Sequence, residues 1–253
     1  MNDPNYFVIL LGSPGIGKSI ARKIGLTQIY PNRRIDEYDI LYDTFVDIDV
    51  DKMVYTYVYA SINTPINKSG LQLIKEATSL YDLNIEFDDV YKNDVCSGKL
   101  IKSDNKEKLV QLEKLYEISY KQYFDIRNKL DSICDELLED SIRMSKNIFI
   151  ETTGIDSDYL ITIIEKIKSS YQIVIMYPIM TNDYEHARRI FNRGKVEGRY
   201  PNIDDTIRDK PKVEETVRLL KMKYEDINIY KYESIELSME EIENYRFNGI
   251  KYI

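Results

Sequence analysis

The 253-residue sequence predicts an α/β fold, a parallel sheet flanked by helices with a largely helical insertion. Three observations carry this expectation. Short apolar runs suited to strands buried on both faces recur along the chain, and stretches of helical period alternate with them. One long segment, 55–145, falls between the second and third strands and has helix signals without a clear core strand. The expected organisation is therefore a single domain over 1–253 with that segment inserted.

The first strand is Tyr6-Phe-Val-Ile-Leu-Leu11, which runs directly into a glycine-rich turn and then a helical stretch to about Leu26. Thr44 to Asp51 is the second strand, alternating near its end, and Asn147 to Glu151 is the third. Tyr171 to Tyr177, closed by Pro178, is the fourth, and Ile227 to Tyr232 the fifth. Helical patterns over Asp158–Lys168, Tyr184–Asn192 and Val213–Tyr224 separate them, as crossovers in a parallel sheet require.

Within the insertion, Tyr55, Tyr57 and Tyr59 alternate, and Pro65, Gly70 and Gly98 punctuate the first half. From Ser103 to Met144 there is no glycine or proline. Ser103 fits a helix N-cap, although Lys106 stands where a capping box would place Glu. Leu109, Leu112, Tyr116, Tyr123, Ile126, Leu130, Ile133 and Leu137 keep a three-four spacing broken at Ser119. That stripe predicts one or two long helices packed on the α/β core.

Composition excludes several classes. With 43% apolar and 31% charged residues the chain can bury a core and is not disordered. No apolar run approaches the roughly 18 residues of a membrane span, and the start lacks a secretory signal's basic and apolar regions. A cytoplasmic protein without a membrane partner is expected. Cys96 and Cys134 make no disulfide framework, and with the single His186 they make no metal quartet. The net charge of −8 provides no global basic footprint, so a nucleic-acid partner is not favoured.

Four segments carry chemistry. Gly12, Ser13, Pro14, Gly15, Ile16, Gly17, Lys18 and Ser19 form a phosphate-binding loop, Gly-x4-Gly-Lys-Ser, in the right strand-to-helix context. Its glycines let several backbone amides aim at one anion, and the helix start adds positive potential there. Lys18 can reach the β- and γ-phosphates of ATP or GTP, and the Ser19 hydroxyl can ligate Mg²⁺. Asp47, Asp49 and Asp51 share a face if their strand stays extended, and its C-terminal end lies where α/β sheets bind ligands. A carboxylate there can take the proton of an attacking hydroxyl; a solvated face or a helix cap is the plainer alternative. Glu151-Thr152-Thr153-Gly154 also leaves a strand end, suiting a substrate or Mg²⁺-water contact, or a plain helix cap. Finally, Arg189 and Arg193 share a helix face from Ala187, and Gly194 and Gly198 lead to Arg199. Guanidinium groups on a glycine-hinged segment suit a lid that closes on phosphate, or a solvated basic face paired with acids.

Together these segments resemble the zeta toxin family of P-loop kinases. The resemblance rests on the phosphate loop, the strand ending Ile48-Asp-Val-Asp51, the turn Glu151-Thr-Thr-Gly154, and the Arg-rich helix and loop to Arg199. It implies a P-loop NTPase, kinase-like fold and transfer of a γ-phosphate from ATP or GTP, with Mg²⁺, to a hydroxyl. In the bacterial toxins the acceptor is a nucleotide-activated amino sugar. The resemblance further implies Lys18 and Ser19 on phosphates and metal, and Asp51 as the catalytic base. Glu151, with Thr152 and Asp49, would stand near the substrate, and Arg193 and Arg199 would embrace the transferring phosphate, Arg189 being a rival for the first. A protein antitoxin is a partner by resemblance alone. The chain departs from the toxins after Asp51, where Lys52-Met53 replaces a common His-Pro pair, and in the longer stretch before Glu151.

The expected function is thus a small-molecule kinase. The alternatives are a polynucleotide 5′-hydroxyl kinase, with the tyrosines cradling a strand, and a nucleotide-driven switch or binding protein. The letters of a GTPase base motif occur at Asn128-Lys-Leu-Asp131, but inside the helical stripe, which makes them a coincidence.

Overall fold

The computed structural model describes residues 5–30, 38–59, 68–80, 84–94, 96–97, 99–234 and 251–252. In chain order, β1 (Tyr6–Leu11), α1 (Lys18–Ile29), α2 (Tyr38–Tyr42) and β2 (Phe45–Ile48) come first. Next are α3 (Val50–Thr56), β3 (Val58–Tyr59), β4 (Lys68–Ser69), α4 (Gly70–Ser79) and α5 (Phe87–Val90). β5 (Tyr91–Asn93), β6 (Leu100–Lys102), α6 (Lys106–Arg127), α7 (Asp131–Arg143) and β7 (Asn147–Thr152) follow. The chain then forms α8 (Ser157–Ile167), β8 (Gln172–Ile179), α9 (Asp183–Glu197), α10 (Ile203–Arg208), α11 (Lys210–Lys223), β9 (Asn228–Glu233) and β10 (Lys251–Tyr252). No helix among the described residues is long and apolar enough to cross a membrane.

These elements group into two compact units. The first comprises Met1–Asp49, Asp135–Thr181 and Asp209–Ile253; the second comprises Val50–Cys134 and Asn182–Arg208. The second unit therefore includes most of the insertion expected from sequence and also α9 and α10.

The first unit is built on a sheet of order β10-β9-β8-β1-β7-β2. All five strands from β9 to β2 run parallel, and β10 is antiparallel to β9. Reading only the parallel strands in chain order, the arrangement is 5-4-1-3-2, with β1 in the middle. Its central place explains its composition: Phe7, Val8, Ile9, Leu10 and Leu11 are wholly buried, and both edges are hydrogen-bonded. Val8, Leu10, Phe45, Phe149, Val174 and Met176 from the sheet pack with Ala21, Ile24 and Leu26 of α1. This is a P-loop kinase-like α/β fold.

Two strand ends differ from expectation by more than one residue. β8 continues through Pro178 to Ile179, because β1 pairs with it only as far as Met176. Beyond that residue one edge of β8 has no β1 partner, so the missing proline N–H breaks no ladder there. β2 is shorter than expected and ends at Ile48, and the chain turns at Asp49 into α3. The three aspartates therefore do not share a strand face: Asp47 is in β2, Asp49 in the turn, and Asp51 in the first turn of α3. An acidic residue there is favoured by the helix dipole, a local preference that competes with strand alternation.

The second unit is mostly helical, with two short hairpins, β3-β4 and β5-β6. Ser69 and Gln72 make a reciprocal capping box that starts α4. The long stripe divides into α6 and α7. Asn105, not Ser103, caps α6, its side chain accepting from the Lys108 amide. Leu112, Leu115 and Tyr116 pack with Phe87, Tyr91 and Phe191, while Tyr123, Ile126 and Leu130 pack with Val54 and Ile74, all within this unit. Ser119, where the apolar spacing breaks, is buried and accepts from the Tyr200 amide at 2.7 Å. The turn at 128–130 then shifts the phase, so that Cys134 and Leu138 take the buried face while Ile133 is exposed. The letters Asn128-Lys-Leu-Asp131 lie at this helix break rather than at a strand end.

Candidate active site

In the first unit, β1 delivers the chain at Leu11 into the glycine-rich loop. Gly15 and Gly17 take φ values of 75° and 92°, in the left-handed region open to glycine at low cost. Gly17 is also the N-cap of α1, so the helix begins with amides that no side chain caps. A Cβ at Gly17 would stand 2.4 Å from Ser234 Oγ, a hydroxyl that can rotate away, so the conformation more than the space demands glycine. The Gly12 amide donates to the Thr152 carbonyl at 3.0 Å, tying the loop to the end of β7. Lys18 Nζ donates to the Gly12 carbonyl at 2.9 Å and lies 4.0 Å from Glu151 Oε2. An ammonium group is thus held across a glycine-rich turn that leads into the uncapped amides of a helix start, the kind of arrangement that binds a phosphate chain. The Ser19 side chain, the expected Mg²⁺ ligand, lies outside the described residues.

Next to this loop stands a cluster that composition does not suggest. Arg22 Nη2 contacts Asp49 Oδ2 at 2.8 Å, Glu151 Oε1 at 2.8 Å and Asp47 Oδ1 at 3.2 Å. Its Nη1 donates to Tyr42 Oη at 2.9 Å. Burial, the largest single influence, opposes the arginine's charge, but Glu151, Asp47, Tyr42 and Asp49 together outweigh it and raise its pKa, so Arg22 is permanently charged. Burial, followed by the hydrogen bond with Asp47, raises the Tyr42 pKa and keeps that phenol neutral. Sequence reasoning missed Arg22 and Tyr42. The available signal was helical: Arg22 is four residues beyond Lys18 and so on the same face of α1.

Among the described residues no group of three or more His, Cys, Asp or Glu side chains is arranged to hold a metal ion. Asp49 and Glu151 offer hard oxygen donors of the kind Mg²⁺ takes, but they are directed at Arg22. Mg²⁺ commonly uses one or two protein oxygens with phosphates and waters, which does not need a closed cage.

The second unit contains a separate cluster. Arg199 Nη1 contacts Asp51 Oδ2 at 2.5 Å, and Tyr123 donates its hydroxyl to Asp51 Oδ1. The Arg199 guanidinium carbon lies 3.9 Å from the centroid of the Tyr123 ring, a cation–π contact. Arg199 also donates to Tyr55 Oη at 3.4 Å, and Tyr55 donates to Glu197 Oε2 at 2.6 Å. Glu197 accepts in turn from Arg193 Nε at 2.8 Å. Asp51, Arg199 and Arg193 therefore belong to one network through Tyr55 and Glu197. Arg189 stands apart from it, paired with Glu185 at 3.2 Å.

Burial works against the Arg199 charge and is the largest single influence, but Asp51, Tyr123 and Tyr55 together exceed it and the pKa is raised. Burial pushes the Tyr55 hydroxyl up to about 12, with Arg199 pulling down and Glu197 pushing up. The Tyr123 pKa is raised by the same dominant cause. Both phenols are neutral donors at physiological pH. Tyr55, Tyr123 and Glu197 were not selected from sequence: Tyr123 reads as one apolar position in a stripe, and Tyr55 as part of a tyrosine alternation. Tyr55 is four residues from Asp51 on α3, which is the local signal that pointed to it.

Arg199 is placed by the residue before it. Gly198 ends α9 at φ 72°, and its amide donates to the Gly194 carbonyl at 2.7 Å. A Cβ there would lie 2.8 Å from the Lys75 Cα, which is backbone and cannot rotate away. Gly198→Ala is therefore expected to destabilise the protein by at least ~1 kcal/mol, from the left-handed strain alone. Urea unfolding checks this, and an unchanged midpoint would show that the turn tolerates a side chain.

No protein-family model matches the chain. An uncharacterised protein of Acanthamoeba polyphaga mimivirus is 29% identical over 258 residues, covering 96% of this chain and 67% of that protein. A solved structure from the PezAT chromosomal toxin-antitoxin system of Streptococcus pneumoniae has a TM-score of 0.49 and 12% identity to this chain. The match covers 91% of this chain and 69% of the other.

Proposed function

We propose that this protein is a phosphotransferase that moves the γ-phosphate of a purine nucleoside triphosphate to a hydroxyl of a small molecule, a nucleotide sugar being the first class to test. The observation that carries the reading is the loop Gly12–Ser19, with Lys18 bonded across it and its helix starting on uncapped amides. Such a loop holds a triphosphate by its β- and γ-oxygens.

In this reading the acceptor oxygen attacks the γ-phosphorus as the bond to the β–γ bridging oxygen breaks. The acceptor proton passes to Asp51, and the nucleoside diphosphate departs. Both Asp51 oxygens are occupied by Arg199 and Tyr123. Asp51 Oδ2 can take the proton only once Arg199 releases it, and a guanidinium readily exchanges a carboxylate for a phosphate oxygen. Arg193 would supply further positive charge, and Glu151 with Asp49 and Thr152 would stand on the substrate side. Mg²⁺ bound with the triphosphate would neutralise its oxygens, with the Ser19 hydroxyl as the protein ligand.

The test is incubation of the purified chain with γ-labelled ATP and GTP against panels of nucleotide sugars, nucleosides and oligonucleotides. Label on a small hydroxyl compound is the expected result. Label confined to oligonucleotide 5′ ends would replace this reading with a polynucleotide kinase. Slow loss of γ-phosphate with no labelled acceptor would replace it with a nucleotide-driven switch.

A further inference from the structure

The first unit has a cavity of about 250 Å³ on one flank of the phosphate loop, and the chemistry of its walls bears on which nucleotide the loop receives. Gly12, Ser13 and Ile16 form one side, so the cavity and the phosphate cradle share residues. Pro178 and Met180, following the centre of β8, and Pro211 and Val213 of α11 provide apolar walls. The space is smaller than the pockets of drug-sized ligands, which start near ~300 Å³, and suits a flat bicyclic base better than a whole nucleotide. Its position makes it the place for the part of a nucleotide that is not phosphate.

The polar groups at this cavity are unusual in kind. Lys210 donates to the Met180 carbonyl at 2.9 Å, which fixes its ammonium at the wall. Lys231 lies 3.8 Å from Glu214 Oε1, and its ammonium is 5.8 Å from the centroid of the Tyr177 ring. The charged side chains of the lining are thus two that only donate and one carboxylate that only accepts, beside the hydroxyls of Ser13, Tyr177 and Thr181. Guanine has the matching edges: O6 and N7 accept, while N1–H and the 2-amino group donate side by side in the spacing of a carboxylate. Adenine carries a donating 6-amino group where guanine has O6, and it has neither N1–H nor a 2-amino group. An ammonium facing that amino group sets donor against donor, which leaves adenine poorly matched.

We infer that the cavity is a guanine site, with Glu214 receiving N1–H and the 2-amino group and a lysine facing O6 and N7, so that GTP rather than ATP is the phosphate donor. This rests on the phosphate-loop reading of Gly12–Ser19. It adds a specificity-determining role for Glu214, a largely exposed residue on α11 whose replacement leaves the core untouched.

The experiment is calorimetric titration of the full chain with GTP and with ATP, repeated on Glu214→Gln and Lys18→Ala. GTP is expected to bind at least about tenfold tighter than ATP, the lower range of what one bidentate base contact discriminates. In Glu214→Gln the ratio of the two affinities should fall towards one, since an amide opposes a donor to N1–H or the 2-amino group. ATP binding as tightly as GTP, with both weakened in Lys18→Ala, would overturn the guanine assignment and leave the phosphate loop standing. A GTP preference that Glu214→Gln leaves intact would overturn the role of Glu214. Binding of neither nucleotide to the wild-type chain would remove the phosphate-loop reading itself.

Discussion

Lys18→Ala is expected to weaken nucleotide binding by about 100-fold, the scale of a charge-assisted contact to phosphate, and to abolish measurable turnover. The loss should be chemical rather than structural. In the free protein Lys18 bonds the Gly12 carbonyl and stands 4.0 Å from Glu151. Glu151 retains Arg22 at 2.8 Å when Lys18 is removed, so no acid is left without its main cation. The loop also keeps its tie from the Gly12 amide to Thr152. Urea unfolding of the variant should therefore match the parent closely, while calorimetric titration and a γ-phosphate release assay register the change. A variant with full affinity and turnover would remove the cation from the phosphate role.

Asp51→Asn should have the opposite profile: nucleotide affinity close to that of the parent, and transfer reduced by about 10²–10⁴-fold, the usual contribution of a general base. Asparagine keeps the shape of the side chain and an oxygen that can accept from Tyr123 or Arg199, but it cannot hold the acceptor's proton. The ion pair with Arg199 is lost, and both side chains are partly buried, so thermal unfolding must be measured alongside. Arg199 retains its contact with the Tyr123 ring, which limits the disturbance. Undiminished transfer by a stably folded Asp51→Asn protein would exclude Asp51 as the base.

The two variants divide the molecule as its fold does. Lys18 lies in a loop whose conformation follows from adjacent residues, and the motif was legible because glycines, lysine and helix start fall within one short stretch. The five parallel strands were legible for a similar reason. A strand buried on both faces has to be apolar along its whole length, and that pattern survives without knowledge of its neighbours. Their ends were less legible. β8 runs through Pro178 because of where β1 stops pairing, a property of the neighbouring strand rather than of its own residues. β2 stops before Asp51 because a helix start accepts an acidic first turn, and alternation of Asp47, Asp49 and Asp51 gave no warning of that.

The side-chain networks were the hardest to anticipate. Arg22 meets Asp49 across 27 residues, Tyr123 meets Asp51 across 72, and Arg199 meets Tyr55 across 144. Nothing local distinguishes Tyr123 from the other tyrosines of the insertion, and its hydroxyl matters only because α3 places a carboxylate in front of it. The phase shift between α6 and α7 is of the same type. The turn at 128–130 rotates the buried face by one residue, from the expected Ile133 and Leu137 to Cys134 and Leu138.

From its residues alone this chain specifies a Gly-x4-Gly-Lys-Ser loop between a buried strand and a helix, and a parallel sheet to carry it, since these depend on backbone conformation and apolar patterning over short distances. Which acids and arginines meet is another matter: Arg22 with Asp47, Asp49 and Glu151, and Arg199 with Asp51 and two tyrosines. Those pairings come from chain segments brought together by packing, where charges leaving water must find partners, and no spacing along the chain encodes which partner will be within reach.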